Sequence, residues 1–426
     1  MKNDISKEAY KGTRDFYPED LAVQKFIFNK MRKTTESFGY EEYNTPTIEP
    51  TELYQAKSGE EIVSEQTYTF TDRGERNVTL RPEMTPSVAR LVAQRRRELT
   101  TPLRWYSIQN FFRYERPQKG RLREFWQLNA DIFGVEGIEA EVEIISLGYE
   151  IMKSLGAKNE DFVIRINYAG LLKEIYGDDK ELNLNEEEGR KVLRVMDLKN
   201  KITPEEFKEK LIEIVSQEKA ELLIKKENEI IENAKNNSKF QRCIELGKKL
   251  NSRGINNIVL DTQLLRGFDY YTGIVFEFFD TNPENKRALF GGGRYDDLLD
   301  LFGEEKIPAV GFGMGDVTTQ EFLQARGLTP EYSSPADLYL CVLNEEYYDF
   351  ANALASDLRK KGLNVAIDFS GKKIGDQITK ADKKKIPYVI CIGEDEIKTN
   401  KFKLKNLASG KETEVTKEEI VKTLKQ

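Results

Sequence analysis

Between residues 103 and 133 the chain carries two long apolar-aromatic runs, LRWYSIQNFFRYE and REFWQLNADIF, separated by the polar loop RPQKGRL. Runs of this kind around a polar connection predict a β-hairpin with a long basic tip. A hairpin is antiparallel by construction, so this stretch needs an antiparallel sheet around it. Other segments are ready to supply one. Residues 76–83 (RNVTLRPE) predict a strand that leads into a helix from Thr85, and EEYNTP predicts a short strand stopped by Pro46. Strands return at 268–280 (FDYYTGIVFEFFD), followed by glycine clusters at 291–293 and 309–316. Ahead of them, LAVQKFIFNKMRKTTESFGY predicts a helix with Leu21, Phe26, Phe28 and Met31 as apolar positions and Gly39 at its end.

Two further stretches follow different patterns. From about 171 to 250 Gly and aromatics thin out, and apolar residues recur three and four apart. LKEIYGD, EEEGRKVLRVMDL, TPEEFKEKLIEIV and KFQRCIELGKKL then read as amphipathic helices of an inserted module. After YSSP (332–335), DLYLCVL, NVAIDF and PYVICIG alternate with two helical segments, which predicts a small α/β domain with a mainly parallel sheet. The expected division is 1–170 and 256–330 for a split core, 171–255 for the helical insertion and 331–426 for the last domain.

Composition excludes several chemistries. The chain of 426 residues has no histidine. Ser-His-Asp and Cys-His nucleophiles, His-ligated zinc and histidine pH switches are therefore absent. Acid–base work falls to carboxylates, Lys, Tyr or the substrate. Cys243, Cys341 and Cys391 form no CxxC pair, which argues against a zinc knot or disulfide framework and fits a reducing cytoplasm. No apolar run approaches the roughly 18 residues of a membrane span, and the start MKNDISKEAYKG has no apolar core of a secretory signal. A soluble cytoplasmic chain is expected. The net charge, 66 − 73 = −7, decides little.

Four constellations remain. The hairpin gathers Arg113, Glu115, Lys119, Arg121 and Arg123, and arginine forks suit phosphate oxygens; a solvated surface hairpin would show the same charges. In LLRGFDYYTGIVFEF, Arg266 stands at the mouth of an apolar strand and needs an anionic partner, whether a ligand or an internal acid such as Asp269 or Glu277. GGGRYDDLL allows close backbone approach or forms a plain turn. GFGMGD lacks the strand–GxGxxG–helix spacing of a dinucleotide site.

Taken in order, these pieces resemble the histidyl-tRNA synthetases among the class II aminoacyl-tRNA synthetases. FRYERPQKGRLREFWQLNADIFG is similar to class II motif 2, and LLRGFDYYTG and GGGRYD to the two motifs peculiar to the histidyl enzymes. TLRPEMTPSVAR resembles their amino-acid-binding segment and KGTRDFYPED the motif 1 region. The resemblance covers essentially the whole chain. It implies an α+β catalytic domain, an antiparallel sheet flanked by helices, with a helical insertion and a C-terminal α/β anticodon-binding domain. It implies a homodimer that joins L-histidine to a histidine-specific tRNA through a histidyl-adenylate, with ATP as substrate and Mg2+ bridging its β- and γ-phosphates.

Carried onto this sequence, the resemblance assigns Arg113 and Arg266 as catalytic. Histidine falls to Glu83, Met84, Thr85, Arg113, Gln127, Asp131, Arg266, Tyr270 and Tyr271, with Asp131 as acceptor for the imidazole. ATP falls to Arg113, Glu115, Arg121, Arg123 and Phe125; no metal ligand is assigned. One departure stands out. Class II motif 3 runs into an acid and then an Arg on the adenine side of ATP, whereas here Val317 follows Asp316 and GFGMGDVTTQ holds no Arg. That leaves Arg121 or Arg294 to compensate, or a weaker grip on ATP. The competing reading is a histidine-binding regulatory subunit of ATP phosphoribosyltransferase. Such subunits generally lack the anticodon domain and an intact RGFDYY-type motif, both of which this chain has. Threonyl and prolyl enzymes fit less well: the former resembles a zinc protein with His ligands, and RGFDYY argues against the latter.

Overall fold

The structure is a computed structural model that describes residues 5–55, 66–171, 182–198, 202–264, 270–285 and 287–425. LKEIYGD, Arg266 and Asp269 lie outside the described residues. The chain divides into two compact units, one through Thr329 and one from Pro330.

The first unit is built on an eight-stranded sheet. The predicted hairpin is its longest pair: β5 (Leu103–Phe112) and β6 (Glu124–Phe133) run antiparallel in unbroken register from Leu103 opposite Phe133 to Phe112 opposite Glu124. The sheet continues through β11 (Ala309–Gly315), β10 (Ala288–Arg294), β9 (Ile274–Asp280) and β7 (Phe162–Tyr168), all antiparallel. The edges are parallel pairs: β1 (Glu41–Glu42) on β5 and β8 (Ile258–Leu260) on β7. A separate three-stranded sheet holds β2 (Ile48–Pro50), β4 (Asn77–Leu80) and β3 (Tyr68–Thr71). GGGR lies inside β10 and not in a turn, and a Cβ on Gly292 would lie 1.9 Å from Gly311 O, the close backbone approach that the glycines allow.

Side-chain alternation gives the sheet two different faces. In β6, Leu128, Ala130 and Ile132 enter the main core, while Gln127, Asn129 and Asp131 point the other way into a cleft. In β11, Val310, Phe312 and Met314 are core, and Gly311, Gly313 and Gly315 fall on the alternate positions. Helices α1 (Pro18–Ser37), α3 (Glu139–Ser154) and α7 (Ser238–Ser252) cover the core face with residues such as Ile27, Met31, Val142, Ile145, Cys243 and Leu246. Helix α2 (Thr85–Gln94) packs Val88, Ala89 and Val92 on the opposite side with Phe133, Tyr270 and Tyr295. Ahead of α7 come α4 (Glu186–Leu198), α5 (Pro204–Ile212) and α6 (Gln217–Asn236), which share a small core around Val192, Phe207 and Leu211. Thr203 caps α5 in a capping box with Glu206, the arrangement written in TPEE.

The second unit has a five-stranded sheet in the order β13 (Val365–Ile367), β12 (Leu338–Val342), β14 (Tyr388–Ile392), β15 (Phe402–Asn406), β16 (Glu412–Val415). The first three are parallel and the last two antiparallel. Leu354, Ala355 and Leu358 of the helix Tyr348–Lys360 join Leu340 and Ile390 in its core.

Candidate active site

The cleft on the polar face of the larger sheet has a volume of about 1390 Å³. Its floor is the Gln127–Asn129–Asp131 row of β6, and the neighbouring strand makes room for that row. Gly311 and Gly315 pair with Asp131 and Gln127. A Cβ on Gly311 would lie 1.9 Å from Asp131 Oδ1, and one on Gly313 1.9 Å from Gln127 Nε2. GFGMGD is thus a strand stripped of side chains on one face so that polar groups of the next strand can lie across it. Its Asp316 is buried and structural. It accepts from Trp126 N at 2.9 Å, Arg14 at 2.7 Å and Gln24 at 3.0 Å, tying the KGTRDF segment to β6.

Asp131 is 4% exposed, and one of its oxygens accepts the Tyr295 hydroxyl. Burial pushes its carboxyl up to about 7, against the opposing pull of that hydrogen bond. Tyr295 belongs to GGGRYD and was not singled out from the sequence; its only signal was its place in that motif. Asn129 also went unmarked. It is 7% exposed and lines the cleft, and its Oδ1 has no hydrogen-bond partner among the described residues.

A second wall comes from the turn between β4 and α2. Arg81, 1% exposed, donates to Asn110 O at 2.9 Å, Thr45 O at 2.8 Å and Gln109 Oε1 at 3.0 Å. That anchorage sets the following Pro82 and Glu83. Glu83 is 4% exposed and accepts the Tyr270 hydroxyl at 3.0 Å; the same hydroxyl lies 3.3 Å from Thr85 Oγ1. Burial and the Glu83 charge both hold Tyr270 protonated, well above its ordinary range. Tyr270 therefore braces Glu83, and Tyr271 also lines the cleft. The Met84 side chain is fully buried and accepts from Thr45, away from the cleft lining.

The hairpin delivers the cations. Arg113 Nε donates to Pro82 O at 2.9 Å, and its guanidinium lies 5.3 Å from the centre of the Phe125 ring. Burial pulls its pKa down, while Glu83 and Glu115 push it back. Glu115 pairs with Arg121 at 3.0 Å and approaches Arg113 at 3.9 Å. Arg123 turns elsewhere: it donates to Glu115 O at 3.1 Å and Tyr10 Oη at 3.0 Å and stacks 4.1 Å over Tyr114. Neither Arg123 nor Met84 lines the cleft. Arg294, one of two candidates to replace the missing arginine, is committed to the buried Glu141 through contacts of 2.7 and 2.6 Å. Burial and that ion pair withdraw it from any ligand. The cleft gathers Glu83, Thr85, Arg113, Glu115, Arg121, Phe125, Gln127, Asp131, Tyr270 and Tyr271.

An antiparallel sheet flanked by helices, with a polar cleft fed by an arginine-bearing hairpin, has the architecture of a class II aminoacyl-tRNA synthetase. The family model for histidyl-tRNA synthetase matches residues 12–316, and that for the anticodon binding domain matches 337–426. A histidine--tRNA ligase of Leptospira biflexa is 41% identical over 433 residues, spanning 99% of this chain and 98% of the relative. The chain belongs to the histidyl-tRNA synthetase family. The solved histidyl-tRNA synthetase of Nostoc sp. PCC 7120 superposes with a TM-score of 0.81 at 24% identity, over 99% of both chains. An ATP phosphoribosyltransferase regulatory subunit/histidyl-tRNA synthetase of Bacillus halodurans has a TM-score of 0.68 at 24% identity, over 91% of this chain and 98% of that one. At such identities these two structures speak to fold alone.

Proposed function

We infer that the chain is a histidine--tRNA ligase that activates L-histidine with ATP as histidyl-adenylate and transfers the histidyl group to tRNA. The observation that carries the site reading is the cleft itself. The buried carboxylates Asp131 and Glu83 line it together with Arg113 and Arg121, which supports a ligand that carries both cationic and anionic groups. Glu83 and Thr85 suit the substrate ammonium, Gln127 its polar backbone, and Asp131 an imidazole N–H. Arg113, together with Arg266, neutralises charge as the carboxylate attacks the α-phosphate. Phe125 offers a stacking face for adenine, with Glu115 as acceptor for its amino group and Arg121 as a further phosphate contact.

Among the described residues no group of three acids or cysteines converges to cage a metal. Mg2+ commonly takes phosphate oxygens and only one or two carboxylates, and Glu277 of the cleft lining would be a protein partner for an ion that screens the triphosphate. We also propose a homodimer acting in the cytoplasm, and the four-part division 1–170, 171–255, 256–330 and 331–426. No helix among the described residues is long and apolar enough to cross a membrane. The regulatory-subunit reading gains only the likeness of fold to the Bacillus halodurans protein.

Amino-acid-dependent ATP–pyrophosphate exchange, run with each of the twenty amino acids, tests the reading: exchange with histidine alone supports it, and none with histidine ends it. Two further outcomes follow. Tyr270→Phe removes a donor to buried Glu83 and should raise the Kd for histidine roughly tenfold with little change in KM for ATP; an unchanged Kd would dismiss the bracing role. A chain truncated after Thr329 should keep histidine activation and lose most tRNA charging, measured with radiolabelled histidine. Full charging by the truncated chain would remove the anticodon role from residues 331–426.

A further inference from the structure

The cleft is lined by four arginines among the described residues: Arg113, Arg121, Arg165 and Arg287. Three of them have acids close by: Glu115 lies 3.9 Å from Arg113 and 3.0 Å from Arg121, and Asp261 lies 3.0 Å from Arg165. Arg287, exposed just ahead of β10, has no carboxylate within 4 Å among the described residues. Its one protein hydrogen bond there is from Nη1 to Lys119 O, at 2.8 Å, on the tip of the basic hairpin.

That tip is a tight turn. Gln118 and Arg121 exchange backbone hydrogen bonds of 3.0 and 2.9 Å, and Gly120 has φ +75°. Glu321 of α8 (Asp316–Ala325) accepts Gly120 N at 2.8 Å. A side chain at Gly120 would meet Glu321 at 3.4 Å, and Arg287 and Thr318 both at 3.8 Å. Arg287 thus stands at the junction of the hairpin tip and the segment after β11, where the chain has Val317 and Thr318 and no cation. An arginine at the mouth of an anion-binding cleft, with most of its five donors uncommitted, is poised for phosphate oxygens.

We propose that Arg287 binds the outer phosphates of ATP and, through the Lys119 carbonyl, couples that contact to the position of the hairpin tip. It takes up from the β9–β10 connection the cationic role for which the chain has no arginine directly after Asp316. The inference rests on the ligase reading. Arg113 lies deep against Pro82 and Phe125, and Arg121 and Arg165 are ion-paired, so among the described arginines of the cleft Arg287 is the one with no carboxylate within 4 Å.

The test is equilibrium binding of ATP and of adenosine to the full chain, with Arg287→Ala, Arg287→Lys and Glu321→Gln beside the parent. Arg287→Ala should weaken ATP roughly ten- to a hundredfold and leave adenosine and histidine within twofold. Arg287→Lys should recover part of the loss. Glu321→Gln disturbs the same turn without removing the cation, so it should leave the ratio of ATP to adenosine affinity unchanged. If Arg287→Ala leaves ATP binding intact, or weakens ATP and adenosine equally, Arg287 only pins the turn and the proposal is wrong. Failure of the parent to exchange pyrophosphate with histidine would instead strike the ligase reading, so the two failures are distinguishable.

Discussion

Asp131→Ala should lower kcat/KM for histidine in pyrophosphate exchange by about two orders of magnitude, while KM for ATP stays near that of the parent. Removing the acceptor leaves a buried imidazole N–H unpaired, which costs about 1–3 kcal/mol, and more where the lost partner is charged. The pH profile carries a second signature. Burial raises the Asp131 carboxyl to about 7, so below that pH it carries a proton in the folded chain and accepts poorly. Activity on histidine should therefore climb between pH 6 and 8. Tyr295→Phe removes the hydrogen bond that favours the charged form, and the climb should move to higher pH. Tyr40 and Tyr43 are the other titratable groups under the influence of the Asp131 charge, and burial keeps both neutral. For stability the sign is opposite. The unfolded carboxyl ionises near pH 4, and the folded one binds its proton up to about pH 7. The folded state thus holds more protons in that window, and stability falls as pH rises through it. Asp131→Asn should flatten this slope in urea titrations across pH 4–7. A profile identical to the parent's would show that the Asp131 carboxyl titrates alike in the folded and unfolded chain, and that burial does not raise it.

How much of this was legible depends on the distance over which each feature is determined. The hairpin at 103–133 was readable because both strands and their turn are contiguous. The α/β pattern after 335 was readable because each period is local. Strand β7 is harder to read: Asn159 and Asp161 mark a turn before FVIRINY, but its pairing with β9 and β8 comes from residues about a hundred positions later. Helix α3 is harder to read, because EAEVEIISLGYEIMKS buries most of its circumference, Glu141 included, and only a narrow stripe of Glu139, Glu143, Glu150 and Lys153 marks its outer side. In the site, residue types gave the chemistry but not the partners. Arg294 and Arg287 are both arginines near GGG. Only the fold shows that one is sealed against Glu141 and the other opens onto the cleft. Tyr270 and Tyr271 are adjacent and alike, and only geometry commits the first to Glu83. The glycines of GFGMGD yield only a rejected dinucleotide pattern in the sequence, because the side chains they accommodate belong to another strand.

Arg113→Gln should reduce the single-turnover rate of adenylate formation by roughly a hundred- to a thousandfold, as loss of one preorganised donor to a developing charge commonly does. Two anions meet in that step, and the charge on the α-phosphate grows only as the bond forms. An arginine aimed there therefore stabilises the transition state more than either bound substrate. Its position supports the assignment. Arg113 is buried within the cleft, its Nε donating to Pro82 O, its face on Phe125 and Glu115 3.9 Å away, so its guanidinium is held in place before a phosphate arrives. The same anchorage supplies the rival explanation, since Pro82 precedes Glu83 and loss of the bond at 2.9 Å could loosen the ammonium site. The two predict different kinetics. A charge effect lowers the chemical rate while the Kd for histidine stays within about threefold; a purely positional effect raises that Kd along with Tyr270→Phe and spares the rate. Arg113→Lys separates them further, because lysine keeps the charge but loses the planar fork. It should recover part of the chemical rate if charge dominates, and none of the histidine affinity if anchorage does. A normal adenylation rate with weakened histidine binding in Arg113→Gln would reassign Arg113 from catalysis to support of Glu83, and leave Arg266 as the remaining candidate for the α-phosphate.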